Sequence, residues 1–322
     1  MVEGDGVYEL IGDPYNAIKA TKAGHALSSV RLLAPCAPSK IVCGGLNYVG
    51  HAREAGLPIP KVSACFCKPP TTLIGHQEAI EFPPQTKRLE YEGELAVVFK
   101  RKMRNTPSEE VLDCVLGYTC GNDVTARDIQ VEGGNLLNRS VSKSFHTFNP
   151  VGPWLVTDLD PHNLNMTLRV SGKVRQKSNT SDMIFPVEVM LSYFSSIMTL
   201  LPGDLIMTGT PEGIGQMQVG DECDLAIDGI GTLSNPIVAA PRSAQSSEAR
   251  SRQCGGQDRR LRVKDAGGAF SVGESLAGWK VGFPAGPRAK PVNSMPTASS
   301  AAFTGQGRLT SDSGNGLKIF RS

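Results

Sequence analysis

The chain has 322 residues, of which 40% are hydrophobic and 20% charged, and its formal net charge is +2. This length suffices for one large domain with an appendage or for two modest domains. No apolar run reaches the roughly 18 residues that a membrane span needs, and the first residues are acidic where a signal peptide would be basic and then apolar.

Short β-branched runs alternate with clusters of Gly, Pro, Asn and Asp through the first 240 residues. This spacing predicts strands at 40–44, 95–100, 115–120, 166–170, 204–208, 223–227 and 237–239. Helical periodicity is less frequent and predicts helices at 16–20, 51–55, 108–112 and 187–200. The predicted fold class is therefore α+β and strand-dominated, with a short N-terminal segment at 1–35 and a main domain at 36–240.

The last 82 residues differ from the rest in charge and composition. Residues 241–322 carry 13 Lys and Arg against 5 Asp and Glu, and they are rich in Gly, Ser, Ala and Pro. Such a segment buries too little apolar surface to offset the entropy of ordering it, so we predict a disordered C-terminal tail. An aberrant or unrelated C-terminal extension would explain this composition equally well. The arginines are not interleaved with stacking aromatics, which argues against nucleic acid as a partner.

Two carboxylates precede an apolar run that predicts a buried strand. If the strand begins near Tyr91, its period of two places Glu92 and Glu94 on one face. Carboxylates that share a partly dry site repel each other, and a divalent cation would relieve that repulsion. The alternative is a solvated strand face, where such a pair needs no ligand.

Asp123 stands at the end of the next predicted strand, in a polar turn. Strand ends often present functional side chains, although a turn or helix cap is an equally simple role for this residue. Three hard oxygen ligands would suit Mg²⁺ or Mn²⁺, with Ca²⁺ as a further option, and argue against zinc.

His51 and Glu54 are three residues apart in a predicted helix and can touch there. The carboxylate would fix the imidazole tautomer and raise its basicity, which makes His51 a candidate general base. The alternative is a surface pair worth a few tenths of a kcal/mol.

In this order and spacing, the segments resemble the fumarylacetoacetate hydrolase family. The resemblance covers about residues 30–240. It lies in 40–48 with His51 and Glu54, in 91–94, 121–130, 143–145, 149–153, 175–180 and 201–211. It implies a mixed β-sandwich roll, a homodimer, and a divalent metal ion held by Glu92, Glu94 and Asp123.

The resemblance also implies roles for single residues. They are His51 as general base, Glu54 as its orienting partner, Lys143 as a catalytic cation, and Gln130, Arg127 and Thr210 as substrate-binding residues. From local sequence alone, Lys143 is equally a solvated cation, Gln130 a loop amide and Thr210 a turn residue.

The family acts on small oxo acids with a second carbonyl, such as acylpyruvates, oxaloacetate and fumarylacetoacetate. The leading hypothesis is a metal-dependent hydrolase that cleaves a carbon–carbon bond through an enolate stabilised by the metal ion. The same site would serve an oxaloacetate-type decarboxylase or a keto–enol isomerase. An inactive homologue that acts as a binding protein is the alternative from another class.

One position departs from the family pattern. His146 stands where relatives often carry Asp, so it would loosen Lys143 or lower the pKa of either group, unless the change is simply tolerated. The N-terminal segment also looks shorter than in many relatives.

We expect a cytoplasmic protein with no membrane partner, and a mitochondrial location stays open.

Overall fold

A computed structural model of the chain describes residues 1–15, 17–132, 138–241 and 320–321. Its strands are β1 (Val2–Glu3), β2 (Gly6–Asp13), β3 (Ala17–Ala26), β4 (Ile41–Gly45), β5 (Ala64–Lys68), β6 (Leu73–Ile74), β7 (Ile80–Phe82), β8 (Leu89–Tyr91), β9 (Gly93–Phe99), β10 (Val115–Asn122), β11 (Thr125–Ala126), β12 (Asn149–Val156), β13 (Asn165–Val170), β14 (Lys173–Asn179), β15 (Leu205–Met207), β16 (Gly215–Met217), β17 (Glu222–Ile227), β18 (Gly231–Ala239) and β19 (Phe320–Arg321). Its helices are α1 (Val49–Glu54), α2 (Ser108–Val111), α3 (Arg127–Val131), α4 (Arg139–Ser142) and α5 (Val187–Ile197). The strand-dominated α+β fold class is confirmed.

A mixed sheet with the order β19-β12-β10-β9-β15-β4-β5 forms the centre of the fold, and β6 pairs with β12 at its side. Every residue of β9 is buried. Ala96 and Val98 pack into one apolar cluster, whereas Leu95 and Val97 pack into another. Because alternate residues of a strand point to opposite faces, both faces of this sheet are covered.

A second sheet, with the order β14-β13-β17-β18-β7, faces one side of the first. Its strand β13 alternates between buried and more exposed residues, as expected when one face meets a core. The buried side chains Met166, Leu168 and Leu225 share a cluster with Leu95 of the central sheet. The two sheets therefore enclose a common core, as in a β-sandwich.

The N-terminal segment forms a separate three-stranded sheet, β1-β2-β3. The prediction of a helix at 16–20 is wrong for the described residues 17–20, because they open strand β3, which pairs antiparallel with β2 at Ile11↔Lys19 and Leu10↔Ala20. Five residues of helical spacing are too few to form a stable helix, and cross-strand hydrogen bonds to β2 decide the conformation. Helix α5 ends at Ile197, earlier than predicted, because Met198 is extended.

The predicted tail lies outside the described residues, except for Pro241 and β19. This last strand pairs in parallel with β12 at Leu155↔Phe320. Among the described residues, no helix is both long and apolar enough to cross a bilayer.

Candidate functional site

The structure brings the three predicted carboxylates together. Glu92 occupies the break between β8 and β9, Glu94 is the second residue of β9, and Asp123 follows β10. Antiparallel pairing of β10 with β9 sets Asn122 opposite Gly93 and thus places Asp123 beside Glu92. One oxygen from each carboxylate lies within 4.8 Å of the others, and all three side chains are buried.

Burial and mutual repulsion disfavour three negative charges at this point. The pKa of Glu94 is raised well above its usual range by burial and by the charges of Asp123 and Glu92, although the Gly209 amide donates to it at 2.7 Å. Burial also opposes the charge on Glu92, but Lys143 and Arg127 outweigh it and hold the pKa of Glu92 below its ordinary value. The cluster thus needs positive charge to stay ionised.

Two buried ammonium groups supply part of that charge. Lys143 Nζ donates to Glu92 Oε2 at 2.8 Å, to Asp123 Oδ2 at 2.6 Å and to Thr125 Oγ1 at 2.9 Å. Lys68 Nζ donates to the other oxygen of Asp123. Burial alone would lower the pKa of Lys143, yet the two carboxylates outweigh it and raise that pKa. Lys143 is therefore a charged member of the cluster.

Arg127 connects the carboxylates to the predicted substrate-binding glutamine. Its guanidinium donates to Glu90 Oε2 at 2.6 Å, to Glu92 and to the Gln130 side-chain oxygen. Both Arg127 and Gln130 stand on helix α3 and border the same cavity. The guanidinium of Arg127 is thus held by carboxylates and in turn fixes the side-chain oxygen of Gln130 at the border of the cavity.

His51 and Glu54 meet on helix α1 at the cavity edge. The distance from His51 Nδ1 to Glu54 Oε2 is 3.3 Å, and the His51 side chain is buried. Glu54 Oε1 also accepts from the Gly213 amide at 3.1 Å, which fixes the carboxylate. His51 Nε2 has no hydrogen-bond partner among the described residues. That nitrogen is available to a reacting molecule.

A buried asparagine holds the segment before α1. The Asn47 side chain donates to the Thr208 carbonyl at 2.8 Å and to the Phe185 carbonyl at 3.1 Å, and it accepts from the Phe185 amide at 2.8 Å. Asn47 thereby ties the end of β4 to β15 and to the segment before α5. Helix α1 starts from a fixed point on the central sheet.

Thr210 borders the cavity, but its hydroxyl is already engaged. It donates to the Gly93 carbonyl at 3.0 Å and accepts from the Gln176 amide at 2.8 Å. The hydroxyl hydrogen must leave Gly93 before it can stabilise a negative charge on a substrate. Thr210 is thus a support for the strand that carries Glu94.

Most of these groups, although not Asp123, Lys68 or Asn47, border one cavity of about 440 Å³. Its polar lining includes His51, Glu92, Glu94, Gln130 and Lys143, and Leu57, Phe66, Val131 and Ile214 provide an apolar wall. A cavity of this size accepts a small organic acid.

The donor chemistry fits a hard divalent cation. Three buried carboxylates offer oxygen ligands within reach of each other, with no His or Cys among them. Burial and the charges of Asp123 and Glu92 raise the pKa of Glu94, and a bound cation would favour its ionised form. Glu92, Glu94 and Asp123 are the residues that would hold the ion.

Two functional candidates escaped the sequence reasoning. Lys68 is the last residue of the short strand β5 and is buried against Asp123. A Lys directly before two prolines is typical of an exposed strand end, so the local sequence does not predict its burial. Glu90 is fully buried and pairs with Arg88 and Arg127. The period of two that selects Glu92 and Glu94 also selects Glu90 and could have found it.

Among the described residues, no hydrogen bond or ion pair joins His146 to Lys143. It is exposed, and the hydrogen bonds of the Lys143 ammonium go to Glu92, Asp123 and Thr125. The pKa of Lys143 is raised rather than lowered. The structure therefore favours the reading that the change at His146 is tolerated.

Two family models match the chain. The model described as fumarylacetoacetate (FAA) hydrolase C-terminal matches residues 40–238, and the model described as Rv2993c-like, N-terminal, matches residues 1–35. The first match includes every predicted site residue.

Curated relatives cover most of the described region. An uncharacterized protein of Archaeoglobus fulgidus is 47% identical over 216 residues, which are 67% of this chain and 85% of the relative. The mitochondrial oxaloacetate tautomerase fahd2 of Xenopus laevis is 40% identical over 222 residues, which are 66% of this chain and 69% of the relative.

Solved structures show the same fold. The 2-hydroxyhepta-2,4-diene-1,7-dioate isomerase of Mycobacterium marinum has a TM-score of 0.68 and 40% identity, and the match covers 74% of this chain and 89% of that one. The maleylpyruvate hydrolase of Sphingobium sp. SYK-6, solved with manganese(II) and pyruvate, has a TM-score of 0.59 and 33% identity. That match covers 68% of this chain and 78% of the hydrolase.

Proposed function

Because the chain belongs to the fumarylacetoacetate hydrolase family, we propose that it is a divalent-metal-dependent hydrolase of small 1,3-dicarbonyl acids. The reaction is the cleavage of a carbon–carbon bond in an acylpyruvate-like substrate. One observation carries the proposal: the His51–Glu54 pair borders the same cavity as Glu92 and Glu94, whose carboxylates cluster with that of Asp123. A base and a metal-binding cluster that share a cavity are what this chemistry requires.

Glu92, Glu94 and Asp123 would hold the ion, for which we propose Mg²⁺, with Mn²⁺ or Ca²⁺ as alternatives. When bound, the ion supplies Lewis-acid polarisation of the carbonyl oxygen of the oxo acid. The solved maleylpyruvate hydrolase carries manganese(II), which supports a hard divalent cation here.

His51 moves the proton. Its Nε2 takes a proton from water, while the Glu54 carboxylate holds Nδ1 and stabilises the imidazolium that forms. The hydroxide adds to the distal carbonyl, the adjacent carbon–carbon bond breaks, and the proton on His51 passes to the carbon released. Water and an acylpyruvate thus give a carboxylic acid and pyruvate.

Lys143 acts as a fixed positive charge. Its three N–H groups are used by Glu92, Asp123 and Thr125, so it stabilises negative charge on the substrate through the electric field rather than through a free hydrogen. The Gln130 amide, oriented by Arg127, is the neutral group that binds the substrate.

A second candidate is a keto–enol isomerase or tautomerase acting on the same cavity. The relatives named oxaloacetate tautomerase and 2-hydroxyhepta-2,4-diene-1,7-dioate isomerase, each 40% identical, favour it. In this reaction His51 moves a proton between carbon and oxygen, and no water is activated. An oxaloacetate-type decarboxylase would likewise need no water.

Product analysis separates these activities. The protein is stripped with a chelator, reloaded with Mg²⁺, and incubated with acetylpyruvate or oxaloacetate, and the products are read by proton NMR and CO₂ release. Acetate and pyruvate in equal amounts support the hydrolase. Conversion of enol to keto oxaloacetate without acetate rejects it in favour of the tautomerase, and CO₂ release without acetate favours the decarboxylase.

The assembly and the location are also proposals. We propose a homodimer, on the family resemblance, and a cytoplasmic location. The relative from Xenopus laevis is named as mitochondrial, and it is the argument for the other compartment. Sedimentation velocity and fractionation of cells test the two points.

A further inference from the structure

The second sheet carries one buried glutamine that lies against the site. Gln176 is 1% exposed, whereas every other residue of its strand β14 is exposed or half-buried. A buried amide costs free energy unless its polar atoms have hydrogen-bond partners. Both polar atoms of Gln176 have such partners, and these partners belong to two segments that include residues of the cavity lining.

The first segment is the strand that carries the carboxylates, where Gly93 is the residue between Glu92 and Glu94. Gln176 Oε1 accepts a hydrogen bond from the Gly93 amide at 3.0 Å. Gln176 Nε2 donates to Thr210 Oγ1 at 2.8 Å, and that hydroxyl donates to the Gly93 carbonyl at 3.0 Å. These three hydrogen bonds form a closed ring. They fix both the N–H and the C=O of Gly93, and thus the backbone between two of the carboxylates.

The second segment is the loop that contacts Glu54. Gln176 Nε2 also donates to the Pro211 carbonyl at 2.8 Å and to the Glu212 carbonyl at 3.5 Å. The Glu212 carbonyl belongs to the peptide unit whose N–H, that of Gly213, donates to Glu54 Oε1 at 3.1 Å. Gln176 therefore contacts one end of this peptide unit, and Glu54 contacts the other.

Both segments approach β14 closely, and a glycine stands at each point of approach. A Cβ at Gly93 would lie 3.2 Å from Gln176 Oε1 and 2.9 Å from Leu168 Cδ1. A Cβ at Gly213 would lie 2.3 Å from the Arg175 carbonyl oxygen and 3.4 Å from Gln176 Cγ. Gln176 is thus in direct contact with both segments, and no side chain fits between them.

We infer that Gln176 is a positioning residue that keeps the carboxylate cluster and the His51–Glu54 pair at a fixed separation. The inference rests on the proposed function only in taking these two groups as parts of one active site. The orientation of the amide is determined, because the Gly93 N–H requires the side-chain oxygen and the Pro211 carbonyl requires the NH₂ group. An apolar side chain of the same length satisfies neither segment.

Calorimetry with Mn²⁺ on the full chain tests the contact with the carboxylate strand. Gln176→Met keeps the length of the side chain and removes its polar atoms. We expect the affinity for Mn²⁺ to fall about 10-fold, because groups that orient metal ligands have effects of this size.

The matched control is Asn235→Leu, which also removes a buried amide. Asn235 is 1% exposed, lies outside the cavity lining, and donates to the Gly75 and Glu78 carbonyls at 2.8 Å each. This variant should lose stability as Gln176→Met does, since both leave buried carbonyls without a donor. Its affinity for Mn²⁺ should stay within about twofold of the wild type.

Hydrogen exchange measured by mass spectrometry tests both contacts without metal or turnover. In Gln176→Met we expect faster exchange of the amides in 92–95, in 211–214 and in helix α1, relative to Asn235→Leu. Gln176→Asn keeps the amide but is one methylene shorter, so it cannot reach both segments. We expect the same changes there to a smaller extent, and this variant decides if Gln176→Met does not fold.

Two results overturn the inference: wild-type affinity for Mn²⁺ in the Gln176 variant that folds, or equal effects in Asn235→Leu. If the wild type binds no Mn²⁺, the metal-dependent function is refuted, and exchange that is unchanged in either segment then overturns the inference as well. The expected effects in a protein that cleaves no acylpyruvate would keep the inference and refute only the proposed hydrolase.

Discussion

The backbone amide of Asp123 donates a 2.9 Å hydrogen bond to the carbonyl oxygen of Glu92. This bond continues the β10–β9 ladder past the last paired residues and fixes the two carboxylates side by side. The repulsion between them is opposed by Lys143, which donates to both. The geometry of the site thus follows from sheet register, and its ionisation follows from buried cations.

Removal of the Lys68 charge should destabilise the protein. Lys68 Nζ is buried and donates to Asp123 and to the Phe148 carbonyl. We expect Lys68→Met to lower the free energy of unfolding by about 3 kcal/mol in chelator, because Asp123 keeps only one ammonium partner. Added Mg²⁺ should restore part of the loss. Urea denaturation measures both, and a loss no larger than that of the exposed control Lys87→Met would contradict the prediction.

Gly213 should matter for activity as well as for stability. Its φ is +95°, and a Cβ there would lie 2.3 Å from the Arg175 carbonyl oxygen. Because its amide holds Glu54, we expect Gly213→Ala to lower kcat/KM by at least about tenfold. The control is Gly220→Ala. Gly220 has a φ of +96° and open space around it, so an added Cβ there causes backbone strain but no steric clash. Equal effects in steady-state assays would refute the steric argument.

The His51–Glu54 pair should affect the chemical step and not metal binding. We expect His51→Gln to lower kcat by about 10²- to 10⁴-fold, because proton transfer is lost, and Glu54→Gln to lower it less. The affinity for Mg²⁺ should stay unchanged in both variants, and the distant His25→Gln should keep full activity. Kinetics and calorimetry on the same samples check this. A His51→Gln variant that loses the metal ion would assign the residue to the ion instead.

A histidine far from the site should make stability depend on pH. His162 contacts Glu188 at 2.9 Å and Asp160 at 2.6 Å, and these hydrogen bonds, in that order, raise its pKa. A histidine whose pKa is raised in the folded state stabilises the folded protein at pH values below the ordinary His pKa. This contribution to stability is lost as the pH rises through the pKa of the folded state.

We therefore expect His162→Gln to lower the free energy of unfolding by about 0.5 kcal/mol at pH 5.5 and by less at pH 9, since the pair is partly exposed to solvent. Urea denaturation at the two pH values measures the difference. The exposed His146→Gln is the control and should show no such dependence. An equal loss at both pH values would mean that the effect is not electrostatic.

The sequence predicts those features that depend on local periodicity. A period of two along 92–94 and a strand end at 123 make these carboxylates candidates, the family resemblance selects them as metal ligands, and the sheet register then brings them together. The missed residues depend on distant partners. Lys68 is buried because Asp123, far along the chain, faces it, and residues 17–20 are extended because β2 supplies their hydrogen bonds. The position of the Arg139 guanidinium is set by contacts with Phe66 and Gly45, and no local sequence pattern predicts these contacts.

The most direct test of the account is the binding of Mn²⁺ to the full chain, measured by calorimetry and electron paramagnetic resonance. We predict one ion per chain, with affinity at least about tenfold weaker in Glu94→Gln and in Asp123→Asn and unchanged in the exposed control Glu109→Gln. Absence of binding at millimolar Mn²⁺, or binding that both site variants leave intact, would contradict the claim that these carboxylates hold a catalytic metal ion.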